Sequence, residues 1–401
     1  MKIGKIATNV LKRSVLRQIN ARREEVVKGA GMGEDCALFA FPDEAMTASC
    51  VQEAVLTVPK NAGKKSLAEE EKAAGAVALT GMERAAGVGA LTGMEKAAGE
   101  VALTGMEKAA GAMTDLVEQD TPGIEFIAEQ RTMTQLIQKC ANNLAAKGAE
   151  PVAVLLTLLL PESLEEPDLK ALMQEADKVC EKLHMQIAGG QTRVTANVKA
   201  PYGIVTGIGK IPTGTYRSLK AAAPGQDVVI SKWIGLEGTA WLAKRYREKL
   251  LERYPAWLVE EAAGFDRFLS VIPEAATAVK SGVCAMHDVS EGGIFGALWE
   301  LAESAGVGLT IDLRKLPLRQ ETVEVCEHCN VNPYELLSGG CLLMTSEDGI
   351  KLVSDLEAEG IPAAVVGKVT DSKDRLLLNE EEVRYMDRPQ RDGIYKVEGF
   401  K

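Results

Sequence analysis

Aromatic side chains are scarce, at 4% of the chain, and histidines number only 3. A groove for single-stranded nucleic acid needs rings on which bases stack, so this composition serves that partner poorly. Positive charge is also short: 46 lysines and arginines face 57 aspartates and glutamates, a formal charge of -11. Phosphate backbones are held by clustered Lys and Arg, which argues again against nucleic acid. A single nucleotide is not excluded, because backbone amides or a divalent metal can meet its phosphates locally. The longest apolar run, 152–160, falls far short of the roughly 20 residues of a membrane span. The first 28 residues mix charges throughout and hold no apolar leader segment. The 8 cysteines are scattered without a framework, which fits reduced thiols. Neither G-x-G-x-x-G nor G-x-x-x-x-G-K-[ST] occurs, which removes the dinucleotide fingerprint and the P-loop. The expectation is a soluble, cytoplasmic protein with no nucleic-acid or membrane partner.

The chain is rich in apolar residues, at 46%, and 401 residues long. That length exceeds one comfortable core and suggests two domains. One stretch stands apart. Across 71–113 a 12-residue unit recurs, as Gly81-Met82-Glu83-Arg84-Ala85-Ala86-Gly87 and again from Gly93 and Gly105, with glycine at every sixth position from 75 to 111. Seven glycines would cost a helix about 7 kcal/mol relative to alanine. Twelve residues also turn a helix by about 1200°, so successive copies form no continuous apolar stripe. The period is too short for a solenoid. The repeat is therefore expected to be a poorly ordered insertion, with a partner-binding arm as the alternative.

Elsewhere strands and helices alternate. Met133, Leu136, Ile137, Cys140 and Leu144 share one face of a helix over 132–147, stopped by Gly148. A buried strand follows at 152–160, then a helix at 167–183 and a strand at 201–211. Residues 212–226 are rich in Gly, Pro, Ser and Ala and mark a boundary. This gives a 1–212 domain that contains the repeat and a 222–401 domain. A strand at 227–232 and a helix at 239–251 open the second. The fold class is α/β (α+β) in two domains.

Four glycine-containing turns are candidates for chemistry. In His287-Asp288-Val289-Ser290-Glu291-Gly292-Gly293, a short strand at 282–286 leads into a helix marked by Ile294, Ala297, Leu298 and Leu301. Two glycines at a helix start let amides approach an anion, aided by the helix dipole; the plainer reading is a capped helix. The others are Gly235-Leu236-Glu237-Gly238-Thr239, Gly189-Gly190-Gln191-Thr192, and Gly31-Met32-Gly33-Glu34-Asp35-Cys36-Ala37. In the last, adjacent carboxylates could hold Mg²⁺ against phosphates, or form only a solvated acidic turn. Cys326-Glu327-His328-Cys329 could contribute to a zinc site, but no second ligand pair lies near it.

Taken together these segments resemble the AIR synthase-like family. Gly33, Glu34, Asp35 and Ala37 resemble its acidic ATP-site motif, and Asn142-Asn143-Leu144-Ala145-Ala146-Lys147-Gly148-Ala149-Glu150-Pro151 its N-D-[IL]-A-x-x-G-A-x-P segment. Gly189-Gly190-x-Thr192 is similar to G-G-x-T, and His287 to Gly293 to H-D-[VI]-[ST]-x-G-G. Ile234 to Thr239 and Ser338-Gly339-Gly340 resemble segments of its hydrogenase-maturation branch. The resemblance covers 30–60 and 130–370. It implies two α/β domains, the N-terminal one pairing across a homodimer, with ATP in a groove. It implies Glu34 and Asp35 as Mg²⁺ ligands, and Gly33, Asn142, Asn143, Gly189, Gly190, Thr192, Gly292 and Gly293 near nucleotide. His287, Asp288 and Glu291 become the candidate catalytic residues.

The chain departs from the family in three places. Asn143 stands where the family has aspartate, 46–58 contains no aspartate, and the last cysteine is Cys341, whereas the maturation enzymes carry a carbamoyl group on a C-terminal cysteine. An amide lacks the charge a carboxylate brings to magnesium. Two functions therefore stay open. One is an ATP-dependent enzyme that phosphorylates an amide or carbonyl oxygen of a small-molecule or protein-thiol substrate. The other is a non-catalytic nucleotide-binding dimer, a sensor or scaffold.

Overall fold

The computed structural model describes residues 4–5, 10–28, 38–39, 46–58, 130–389 and 391–397. The repeat at 71–113 and the candidate ligands Gly33, Glu34 and Asp35 lie outside the described residues. Two compact units emerge, dividing between Thr213 and Gly214, with the short stretch Ala145–Ala149 belonging to the second.

In the first unit the strands are β1 (Gly4–Lys5), β2 (Val26–Lys28), β3 (Leu38–Phe39), β4 (Met46–Leu56), β5 (Gln130–Arg131), β6 (Glu150–Leu160), β7 (Gln186–Val194) and β8 (Tyr202–Ile211), with helices α1 (Met133–Ala145) and α2 (Glu166–Lys182). Six of them form one sheet in the order β1-β7-β6-β8-β4-β5, and β2 pairs with β3 alone. Alternation along β6 separates two faces. Val154, Leu156, Leu158 and Leu160 are buried, whereas Leu155, Thr157 and Leu159 are only half-buried. Helix α1 covers β8 on the buried side, where the Cys140 thiol approaches the Val205 carbonyl at 3.9 Å. All five residues of the expected apolar face of α1 are buried, each contributing about 1.5–3 kcal/mol. Helix α2 begins at a capping box between Glu165 and Asp168, with Pro167 in its first turn.

The expected Gly189–Thr192 turn is instead the middle of β7. Its parallel register with β6 slips between Val154 and Leu155, leaving Ala188 as the extra residue of a bulge. Gly190 has φ +134°, and a Cβ there would overlap the Leu156 carbonyl. Glycine stands at this position because the neighbouring strand leaves no room.

The second unit contains β9 (Asp227–Ser231), α3 (Leu236–Arg245), α4 (Arg247–Arg253), α5 (Ala256–Ala263), α6 (Ile272–Lys280), β10 (Ala285–Asp288), α7 (Gly293–Ala305), β11 (Gly308–Asp312), α8 (Gln320–Cys329), β12 (Leu342–Ser346), α9 (Gly349–Ala358), β13 (Ala363–Thr370), β14 (Arg375–Asn379) and β15 (Glu382–Tyr385). Its seven-stranded sheet runs β10-β12-β9-β13-β11-β14-β15. Val228, Val229 and Ile230 of β9 are fully buried because both faces are covered. Val228 and Ile230 join a core with Ile294, Leu298 and Leu301 of α7. Val229 points the other way, into a core with Ala275 of α6 and Leu356 of α9.

The helix expected over 239–251 is two helices. Tyr246 separates them at φ -107° and ψ 23°, and no Gly or Pro marks that break. The described residues contain no helix long and apolar enough to cross a membrane.

Candidate functional site

Three glycine-bearing segments of the second unit converge. Gly235 is the N-cap of α3, in the left-handed region at φ +74°, and its amide donates to the Ser338 hydroxyl at 2.8 Å. That hydroxyl donates onward to the Leu336 carbonyl at 2.7 Å. The Ser338 amide donates to the Ser290 carbonyl at 3.2 Å, and the Gly238 amide donates to the Leu337 carbonyl at 2.8 Å. The loop 336–340 therefore joins the turn before α3 to the turn before α7. Gly339 lies so close to the Glu237 carboxylate that a Cβ would overlap it, and Glu237 itself is buried in the first turn of α3. Gly235–Thr239, His287–Gly293 and Ser338–Gly340 are thus parts of one hydrogen-bonded cluster.

His287 and Asp288 sit at the end of strand β10, not in the turn after it; the turn begins at Val289. Strand β10 pairs with β12 through His287↔Leu343 and Asp288↔Leu342, which fixes both side chains at the sheet end. The imidazole Nε2 of His287 lies 2.6 Å from a carboxylate oxygen of Glu300 on α7. Its buried Nδ1 has no hydrogen-bond partner and lies 3.9 Å from Asp288. The hydrogen bond from His287 holds the Glu300 carboxyl below its ordinary range, with charge on His287 and Lys147 acting the same way. Asp288 is buried and Glu291 exposed. A ring fixed through one nitrogen with the other facing inward has the geometry of an oriented acid or base.

The two glycines before α7 behave differently from the anion cradle expected of them. Gly292 and Gly293 are both left-handed, at φ +79° and φ +63°. The Gly293 amide donates to the Ser290 carbonyl at 3.2 Å, and a Cβ on Gly293 would overlap the Tyr334 backbone. The Gly292 amide donates to Asp392 Oδ2 at 2.7 Å. The anion at this helix start is therefore the chain's own carboxylate. Burial pushes the Asp392 carboxyl up, against the pull of its backbone hydrogen bonds.

In the first unit, Asn142 is buried on α1, its side-chain oxygen accepting from Gln138 at 2.9 Å, and Asn143 is half-buried beside it. Thr192 is buried in β7. The Cys326–Cys329 segment is a turn of α8 whose thiols are pushed up by burial to about 12 and about 11. No group of three or more metal-ligating side chains occurs among the described residues.

Glu300, Asp392 and Glu237 were not singled out as site residues by their sequence. Glu237 stood inside a quoted turn, but Glu300 and Asp392 carry no local signal, because strand pairing and chain return bring them to the site.

A family profile described as AIR synthase related protein, N-terminal domain, matches residues 118–211, and the corresponding C-terminal domain matches 223–378. The chain belongs to the AIR synthase related family. Its fold is the two-domain AIR synthase-like fold of solved hydrogenase maturation proteins. E. coli HypE superposes with a TM-score of 0.58 at 23% identity, over 66% of this chain and 81% of that one. A HypE solved in complex with ATP gives 0.65 at 15% identity, over 96% and 95%. Thiamine-monophosphate kinase from Stenotrophomonas maltophilia gives 0.59 at 15%, over 94% and 98%. Among curated proteins, carbamoyl dehydratase HypE of Rhodobacter capsulatus is 28% identical over 233 residues, 57% of this chain and 66% of that protein. A putative hydrogenase expression/formation protein of Methanocaldococcus jannaschii is 25% identical over 261 residues, 64% and 76%. The chain thus spans about two thirds of the first relative's length. In this AIR synthase-related protein, all three converging segments lie inside the C-terminal match, whereas Asp392 lies beyond it.

Proposed function

We propose that this AIR synthase-related protein binds ATP with magnesium and activates an amide or carbonyl oxygen by phosphoryl transfer, as a HypE-like enzyme of the cytoplasm. The observation that carries this reading is the convergence of three family segments on one cluster in the second unit. The relatives named carbamoyl dehydratase support the reaction class, and the HypE solved with ATP supports the nucleotide. They do not favour a non-catalytic sensor or scaffold.

Bound ATP would supply the phosphoryl group that turns a poor oxygen leaving group into a good one. Asp288 and Glu291, on the same segment as His287, are assigned as the carboxylates that act with it. His287, oriented by Glu300, would move a proton at the substrate. The family resemblance assigns Asn142, Asn143, Gly189 and Thr192 to nucleotide binding and Glu34 and Asp35 as the magnesium ligands. Gly190 is assigned a backbone role, and Gly292 and Gly293 shape their turn rather than donate to phosphate. Cys341, the last cysteine of this chain, is not suited to carry a transferred group, being fully buried with its thiol pushed up to about 12.

Homodimerisation is supported by the second face of the six-stranded sheet, where Val55, Leu155, Leu159 and Ile204 are only half-buried. A sheet face of that character is suited to pairing with a copy of itself. The test is calorimetric titration of ATP with and without magnesium, alongside ADP release measured separately. Binding that requires magnesium is expected; no heat up to about 1 mM ATP would remove the reading.

A further inference from the structure

The segment after β15 returns to the glycine cluster and is built into it. Asp392 is 4% exposed and places one carboxylate on three amides. Oδ2 accepts from Gly292 at 2.7 Å, while Oδ1 accepts from Leu337 at 3.2 Å and from Ile394 at 2.8 Å. No lysine or arginine is paired with it among the described residues, so amide donors alone compensate its charge. The flanking residues fix the segment in place. Ile394 and Val397 are buried, and Gly393 packs so closely that a Cβ would come within 2.7 Å of Val331. The Lys396 ammonium pairs with Glu335 at 2.5 Å.

The geometry has a direct consequence. Gly292 belongs to the turn that follows His287 and Asp288, and Leu337 to the loop that holds Gly235 and Gly238. One carboxylate spans both. Gly292 is left-handed and is the N-cap of α7, so the direction of its amide sets where Ser290 and Glu291 stand relative to loop 336–338. Without this acceptor, the half-buried Gly292 amide and the buried Leu337 amide would each lose their partner, and the two segments would lose their common anchor.

We propose that Asp392 is a positioning residue that holds the His287–Gly293 turn and the 336–338 loop in their working geometry, acting from beyond the 223–378 stretch that matches the family's C-terminal domain. Its catalytic consequence rests on the nucleotide-dependent reading above; the positioning itself does not.

The test uses the full chain. Asp392→Ala removes the acceptor, Asp392→Asn keeps the shape and one oxygen while removing the charge, and Lys396→Ala removes only the solvent-accessible pair with Glu335, leaving Asp392 and its three amides in place. Amide hydrogen exchange is followed in peptides covering 287–295 and 335–340, with magnesium-ATP affinity measured in parallel. Asp392→Ala and Asp392→Asn are expected to speed exchange at least about tenfold in those two peptides and not in β9 or α9. Both should weaken nucleotide affinity about tenfold. Lys396→Ala should change neither. Should Asp392→Ala fail to fold, Asp392→Asn carries the test. Exchange unchanged in both peptides for a folded Asp392→Asn overturns the proposal, and so does acceleration spread evenly over the unit. A wild type that binds no ATP would remove the functional reading while leaving the exchange result to decide the positioning.

Discussion

The Ser338 hydroxyl accepts the Gly235 amide at 2.8 Å across 103 residues of sequence, and both are fully or nearly fully enclosed in the second unit. The same hydroxyl donates to the Leu336 carbonyl, so it satisfies one buried acceptor and one buried donor. Ser338→Ala leaves both without their present partner. The expected cost is about 1–3 kcal/mol of stability, read as a lowered denaturant midpoint at unchanged slope. A midpoint equal to wild type would mean that Ser338 does not hold the α3 turn.

Glu300 should matter through His287. Glu300→Gln keeps the size of the side chain and removes the charge that fixes the ring. Turnover of ATP is expected to fall at least about tenfold, with nucleotide affinity nearly unchanged. An equal loss in affinity would instead place Glu300 in nucleotide binding.

Gly189 and Gly190 make a contrasting pair. A methyl group at Gly189 meets only the Leu155 side chain, at 3.4 Å, whereas at Gly190 it collides with the backbone of β6. Gly189→Ala should stay within about 1 kcal/mol of wild type, and Gly190→Ala should lose about 3 kcal/mol or more. Thermal unfolding of the two variants decides it. Loss of ATP binding in a Gly190→Ala protein of undiminished stability would contradict the backbone explanation.

Glu25 anchors a charge network in the first unit, with Arg23 at 2.7 Å and Lys210 at 2.5 Å. The Arg23 guanidinium leads the effects that bring its carboxyl from 4.5 to about 2. The folded value lies below the unfolded one, so this contribution is complete above about pH 4.5 and fades as pH falls toward 2. Urea unfolding at about pH 6 and about pH 3 should show a drop on the order of 1–2 kcal/mol that Glu25→Gln removes. An acid limb with the same slope in Glu25→Gln would assign the loss to other carboxylates.

The α1 face from Met133 to Leu144, the buried run of β6 and the glycine segments of the second unit were all legible in the sequence. Each depends on a short period or a local backbone demand. Apolar residues at helical spacing must be buried on one side, and a left-handed Gly235 or Gly292 announces itself by residue type. Those local rules carried the family resemblance and the two-unit architecture. They could not carry the rest. The run Gly189–Thr192 reads as a turn until β6 is laid beside it, because the need for glycine at 190 comes from a backbone more than 30 positions earlier. Glu300 finds His287 only when α7 folds back on β10, and Asp392 reaches Gly292 only after the seven strands of the second unit's sheet have been placed. A hydrogen bond is selected by position in space, and position in space is set by packing of the whole unit; that is why the amide expected to await a phosphate was found donating to the chain's own carboxylate.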